Sequence, residues 1–266
     1  MTYSKENFKR LTIVDLLKMK NNTPIVMATA YDKWTAKIVD QAVDTILVGD
    51  SLGNVIQGKE TTLPVTLEEM IYHTRMVMRG TDRAFVIGDM PFLSYQPSVR
   101  DAVISAGRLM KEGLCQAVKL EGGSAFAPQI EAIVICGIPV IGHLGLTPQS
   151  IHAFGSHGKR AKTKEAAEQL IKEARAIENA GVSMVVLENI AHDTAKQVSE
   201  ALQVPTIGIG AGPHCDGQVQ VFHDLFGLTP EFIPRHAVQF TNSGLDMIEG
   251  VKKYASEVRS GKLISK

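Results

Sequence analysis

The sequence predicts an α/β fold, a (β/α)8 TIM barrel with an extra N-terminal helix, and three features predict it. Short runs of Val, Ile and Leu recur along the 266 residues without alternating with polar positions, the pattern of parallel strands buried on both faces. Amphipathic segments with recognisable helix starts separate these runs. Eight strand–helix units in about 240 residues match the length such a barrel needs. A doubly wound open sheet is the competing arrangement.

The elements follow in order. Residues 12–21 (TIVDLLKMKN) form the extra helix, placed to close the bottom of the barrel. Seven strands are expected at residues 24–30 (PIVMATA), 45–50 (TILVGD), 84–89 (AFVIGD), 117–123 (AVKLEGG), 139–146 (PVIGHLGL), 184–190 (MVVLENI) and 205–212 (PTIGIGAG). An eighth is expected at residues 236–240 (HAVQF), followed by a last helix around residues 247–258. Thr66 with Glu69 is a capping box opening one helix, and Ser98 with Asp101 opens another in the same way. The segment from Thr163 keeps Ala167, Leu170, Ile171, Ala174 and Ile177 on one face and stops at Gly181. No composition break or linker interrupts residues 1–266, so one barrel domain is expected.

Bulk composition narrows the function. Lys plus Arg equals Asp plus Glu at 28 each, which argues against a basic nucleic-acid surface and favours small-molecule or protein ligands. Cys115, Cys136 and Cys215 form neither a CxxC pair nor a zinc-finger spacing, and packed, reduced thiols in a cytosolic protein are expected. The N-terminal ten residues lack an apolar signal-peptide core, and no run approaches the ~20 apolar residues of a membrane span.

In a barrel of this kind the site lies at the C-terminal ends of the strands. Polar residues expected there are Asp50 and Ser51 on the second strand, Asp89 on the third, Lys119 and Glu121 on the fourth, His143 on the fifth, and Glu188 with Asn189 on the sixth. Four carboxylates on one rim repel one another unless protons or a cation neutralise them. An oxygen-only donor set suits a hard cation such as Mg2+. Lys119 is placed to hold a substrate carboxylate, stabilise an oxyanion or act as a Schiff-base nucleophile, and a neighbouring metal favours the electrostatic roles. Glu188, two strands from Glu121, is the candidate general base. His143 reads equally as a substrate contact or a packed histidine. The glycines of residues 208–212 read equally as a phosphate loop or a tight turn. The basic stretch 156–164 (SHGKRAKTK) reads as solvated surface able to attract an anionic tail.

Residues 47–73 (LVGDSLGNVIQGKETTLPVTLEEMIYH), with IGDMPF, VKLEGG, IPVIGHLGLTPQS and PTIGIGAGPHCDGQVQVFHDLFG further on, resemble the ketopantoate hydroxymethyltransferase family from about Thr23 to Phe240. The resemblance implies transfer of a hydroxymethyl group from 5,10-methylenetetrahydrofolate to 3-methyl-2-oxobutanoate, giving 2-dehydropantoate in pantothenate biosynthesis. By the same resemblance Asp50 and Asp89 match Mg2+ ligands, one ion per subunit, with Glu121 as the third carboxylate of the metal site. Ser51 and Lys119 match positions that bind the 2-oxo acid together with Asp50 and Asp89, and Glu188 matches the proton acceptor. A cytoplasmic homo-oligomer, usually a decamer, is also implied. Trp34 and residues 154–164 (FGSHGKRAKTK) depart from the family pattern, which bears on folate binding more than on the metal. A phosphoenolpyruvate mutase or lyase relative and an inactive scaffold barrel are the rival readings.

Overall fold

A computed structural model describes residues 9–229, 234 and 237–261, and eight strands among them close into a barrel. They are β1 (Ile25–Thr29), β2 (Thr45–Val48), β3 (Phe85–Asp89), β4 (Ala117–Glu121), β5 (Val140–Gly145), β6 (Met184–Glu188), β7 (Thr206–Ile209) and β8 (Gly217–Gln220). Each strand from β1 to β7 pairs in parallel with the next. By contact density the chain falls into two compact units, Met1–Val219 and Gln220–Lys266.

Strand side chains alternate between faces, so every second residue reaches the barrel axis. Phe85 and Ile87 do so on β3, Ala117 on β4, Ile141 on β5, and Met184 and Val186 on β6. They pack with Ile25, Met27, Leu47, Ile207 and Val219 into one apolar core. The residues between them, including Ile46, Val48, Val86, Val118, Val140 and Val185, are also 0% exposed. Burial on both faces explains why these strands read as unbroken apolar runs.

The helix Ile13–Leu17 begins at a capping box in which Asp15 Oδ2 accepts from the Thr12 N–H (3.0 Å) and Thr12 Oγ1 accepts from the Asp15 N–H (3.3 Å). Its Leu16 joins the residues that start the strands, so the helix closes the bottom of the barrel as expected. Beside it Lys20 Nζ pairs with Asp216 Oδ2 at 2.9 Å, and the same carboxylate accepts from the Thr206 N–H (2.8 Å). The Asp216 carbonyl accepts from the Ile25 N–H (2.9 Å), which ties the start of β8 to β1.

Outside the barrel, Leu67–Met78, Val99–Arg108 and Lys164–Asn179 are helices capped by Thr66, Ser98 and Thr163. The second continues into Leu109–Gly113, which widens into a π turn that ends on Leu114 at φ 69°. Of the cysteines expected to be packed, Cys115 is buried, Cys215 is intermediate and Cys136 is exposed. No helix among the described residues is long and apolar enough to cross a membrane.

The eighth strand is not at residues 236–240. His236 lies outside the described residues, and Ala237–Phe240 is irregular, with Val238 at 55% and Phe240 at 71% exposed. The Val238 N–H donates to Gln220 Oε1 (2.7 Å), a side-chain contact in place of a ladder. The true β8 is four residues long and alternates Gln with apolar positions, so it carries no apolar run. The connection from β7 to β8, residues 210–216, contains no helix. The unit from Gln220 carries the helices Phe222–Phe226 and Ser243–Arg259.

Candidate active site

The alternation that builds the core also builds the site. Two residues beyond the inward Ile87, Ala117, Ile141 and Val186 come Asp89, Lys119, His143 and Glu188, with Glu121 two beyond Lys119. All therefore point inward at the C-terminal end of the barrel. The pairing register sets Asp89 beside Lys119, Glu121 beside His143 and Glu188 beside Gly145. Asp50 enters differently. β2 ends at Val48, and a turn closed by the Leu52 N–H to the Gly49 carbonyl (3.1 Å) carries Asp50 and Ser51 over the barrel mouth. There the Asp50 N–H donates to Asp89 Oδ2 (3.2 Å).

Asp50, Asp89, Lys119, Glu121 and His143 are each at most 4% exposed, and the Glu188 side chain is 17% exposed. Lys119 Nζ pairs with Asp89 Oδ1 at 2.8 Å and lies 3.4 Å from His143 Nδ1. His143 bridges two acids, with Nδ1 3.3 Å from Glu121 Oε1 and Nε2 3.3 Å from Glu188 Oε2. His143 is thus buried between acids of β4 and β6, within the candidate site. Ser51 Oγ is 2.9 Å from the hydroxyl of the buried Tyr31.

The electrostatics follow from this packing. Burial, then the charges of Asp89 and Glu121, push the Asp50 carboxyl well above the usual range despite Lys119 and a hydrogen bond from Gln149. Asp89 is raised as well, because burial outweighs its ion pair. Burial would also raise Glu121, but the hydrogen bond and charge of His143 hold it low. Burial and Lys119 oppose the imidazolium, yet Glu121 and Glu188 outweigh them and raise His143 to about 9. Burial likewise opposes the Lys119 charge, and Asp89, Glu121 and Asp50 overcome it, holding the ammonium above the ordinary lysine range. An amine must lose its proton before it can attack a carbonyl, so this field favours the electrostatic roles of Lys119 over the Schiff-base one.

Four carboxylates thus face two cationic side chains, an excess of negative charge that a divalent ion would offset and that protons on Asp50 otherwise relieve. The oxygen donors and their mutual repulsion fit a hard cation. Among the described residues, no three His, Cys, Asp or Glu side chains stand together as a ready metal cage. Glu121 in particular has one oxygen on His143 and the other accepting from the Gln149 N–H (2.9 Å).

Two buried residues absent from the sequence-based set stand in this site. Gln149 Nε2 donates to Asp50 Oδ2 (2.9 Å), and the Tyr95 hydroxyl lies 3.0 Å from Gln149 Oε1. Tyr95 lies in a bend after β3 and Gln149 in the 3-10 turn Pro148–Ser150 after β5, where strand alternation gives no signal. The stretch 156–164 is also more than solvated surface. The Arg160 N–H donates to the Asn189 carbonyl (2.7 Å), the Ala191 N–H donates to the Arg160 carbonyl (3.1 Å), and Asn189 Nδ2 donates to the His157 carbonyl (2.7 Å). The loop is therefore hooked onto the chain just past Glu188. The glycines at 210 and 212 adopt φ 62° and 84°, and a Cβ at Gly212 would meet the His192 ring, so the backbone here turns in a way that favours glycine.

Residues 10–264 match the profile of the ketopantoate hydroxymethyltransferase family. The chain belongs to that family. Among curated ketopantoate hydroxymethyltransferase relatives, the 3-methyl-2-oxobutanoate hydroxymethyltransferase of Pseudothermotoga lettingae is 53% identical over 243 residues, covering 91% of this chain and 92% of its own. That of Syntrophotalea carbinolica is 49% identical over 255 residues, covering 95% and 96%. Solved structures share the barrel at low identity. A 2,3-dimethylmalate lyase of the PEP mutase/isocitrate lyase superfamily has a TM-score of 0.59 at 16% identity, over 94% of this chain and 88% of that one. Phosphonopyruvate hydrolase in complex with oxalate and Mg++ has a TM-score of 0.63 at 11% identity, over 94% and 88%. The two stretches expected to depart from the family pattern fall in different places. Trp34 is 65% exposed on the helix Lys33–Val39, with Lys33 and Lys37 over its ring, whereas residues 154–164 reach Asn189 beside Glu188.

Proposed function

We propose that the protein transfers a hydroxymethyl group from 5,10-methylenetetrahydrofolate to 3-methyl-2-oxobutanoate, forming 2-dehydropantoate. The observation that carries this reading is the convergence of the buried Asp50, Asp89, Lys119 and Glu121 and the partly exposed Glu188 at the C-terminal end of the barrel in a chain of this family. Asp50 and Asp89 would hold Mg2+, with Glu121 supplying the third negative charge. A solved neighbour of the same fold is described in complex with oxalate and Mg++, a dicarboxylate with a similar pair of adjacent oxygens. When bound, the cation would act as a Lewis acid toward the 2-oxo group and increase the acidity of C3.

The chain's own groups account for the remainder. Glu188 takes the C3 proton, and His143, 3.3 Å from its Oε2, orients that carboxylate. The Lys119 ammonium and the Ser51 hydroxyl, itself steered by Tyr31, hold the oxygens of the 2-oxo acid. Both carbon–nitrogen bonds of the folate's methylene bridge break as water adds to it, the two hydrogens of that water going to N5 and N10. C3 bonds to the released one-carbon unit, while the proton taken by Glu188 passes to that unit's oxygen. One water supplies the hydroxyl oxygen, and tetrahydrofolate leaves. The loop 156–164, hooked beyond Glu188, borders the side from which the folate would approach. The phosphoenolpyruvate mutase or lyase alternative rests on likeness of fold alone. Incubation with both substrates and Mg2+ is expected to give 2-dehydropantoate and tetrahydrofolate in equal amounts. Absence of both products would overturn the reading.

A further inference from the structure

Gln149 meets acids from two different strands through two different groups. Its side-chain Nε2 donates to Asp50 Oδ2 and to the Met90 carbonyl, both at 2.9 Å, while its main-chain N–H donates to Glu121 Oε2 at 2.9 Å. The amide cannot turn over without loss, because Oε1 faces the Tyr95 hydroxyl (3.0 Å) and Gln96 Nε2 (3.2 Å). Tyr95 is itself fixed, its hydroxyl accepting from the Glu121 N–H (3.1 Å) and lying 2.9 Å from the Glu121 carbonyl. Gln149 is 5% exposed and Tyr95 1%, so neither bond exchanges readily with water.

We propose that Gln149, braced by Tyr95, is a positioning residue that sets the orientation of Asp50 and its spacing from Glu121 for cation binding. A carboxylate bearing excess negative charge and left to itself would swing away from its neighbours. A neutral donor holds Asp50 in place without neutralising it, which a lysine or arginine would do. The inference rests on the Mg2+ reading above, and its test separates the two.

Magnesium binding to the full-length protein is measured by calorimetry without substrate for the parent, Gln149→Leu, Gln149→Glu, Tyr95→Phe and Asp50→Asn, with circular dichroism confirming the fold of each. Gln149→Leu and Gln149→Glu are expected to weaken binding by about 10–100-fold, the usual effect of removing a group that orients a metal ligand. Tyr95→Phe is expected to weaken it less. In Gln149→Leu the Mg2+ concentration needed for half-maximal C3 proton exchange rises in parallel, and saturating Mg2+ restores most of the rate, which a merely structural defect would not allow. Unchanged affinity in folded Gln149→Leu and Gln149→Glu, with binding lost in Asp50→Asn, overturns the role of Gln149 alone. Unchanged affinity in Asp50→Asn, or no uptake by the parent, overturns the metal reading and this inference with it.

Discussion

Lys119 is the residue whose chemistry the structure narrows most. Its sequence position left three roles open, and the ion pair to Asp89 at 2.8 Å, with Asp50 and Glu121 adding to the field, favours the two that need an ammonium. An imine would require a neutral amine, so borohydride added to the protein with 3-methyl-2-oxobutanoate is expected to leave Lys119 unmodified by mass spectrometry. A mass increase on Lys119 matching the reduced adduct would contradict this account. The inward acids were legible because a period of two carries Phe85 and Ile87 directly to Asp89, and Met184 and Val186 to Glu188. Gln149 and Tyr95 were not legible, since the direction of a bend or turn residue depends on three-dimensional packing that no periodicity encodes.

Among the elements, β5 and β6 show how closely sequence and site are joined. Gly145 adopts φ 98°, and a Cβ there would run into the Glu188 carbonyl, which accepts from the Leu146 N–H (2.8 Å). The base is thus carried on a strand end held by its neighbour's backbone. β8 is the opposite case. Its four residues carry no apolar run, and what places them is Asp216 just before, bonded to Lys20 and Thr206. Burial alone would raise the Asp216 carboxyl, but the Thr206 N–H and Lys20 hold it below the usual carboxylate range. A lowered folded value means that the stabilisation is present above the unfolded value and is lost as pH falls through the folded one. Asp216→Asn is expected to cost about 1–3 kcal/mol at neutral pH. Its urea midpoint should converge with that of the parent as the solution is acidified. A difference that stays constant into the acid range would contradict this placement of Asp216.

At the scale of the whole molecule, a chain with zero formal net charge concentrates negative charge at one end of its barrel. That concentration, with Asp50 driven toward protonation by burial and by Asp89 and Glu121, is the physical basis for expecting a cation and a 2-oxo acid there. The barrel itself was legible from its buried runs and helix caps. Its last strand was not, because the apolar side chains of Val238 and Phe240 imitate a strand while remaining exposed. The central claim is that this acidic mouth makes C3 of a branched 2-oxo acid a carbon nucleophile, with Glu188 as the base. The most direct test is deuterium exchange at C3 of 3-methyl-2-oxobutanoate in D2O without folate, followed by NMR. Exchange is expected to require Mg2+, to stop on chelation and to be absent in Glu188→Gln. Exchange that survives chelation, or proceeds undiminished in Glu188→Gln, would contradict the account.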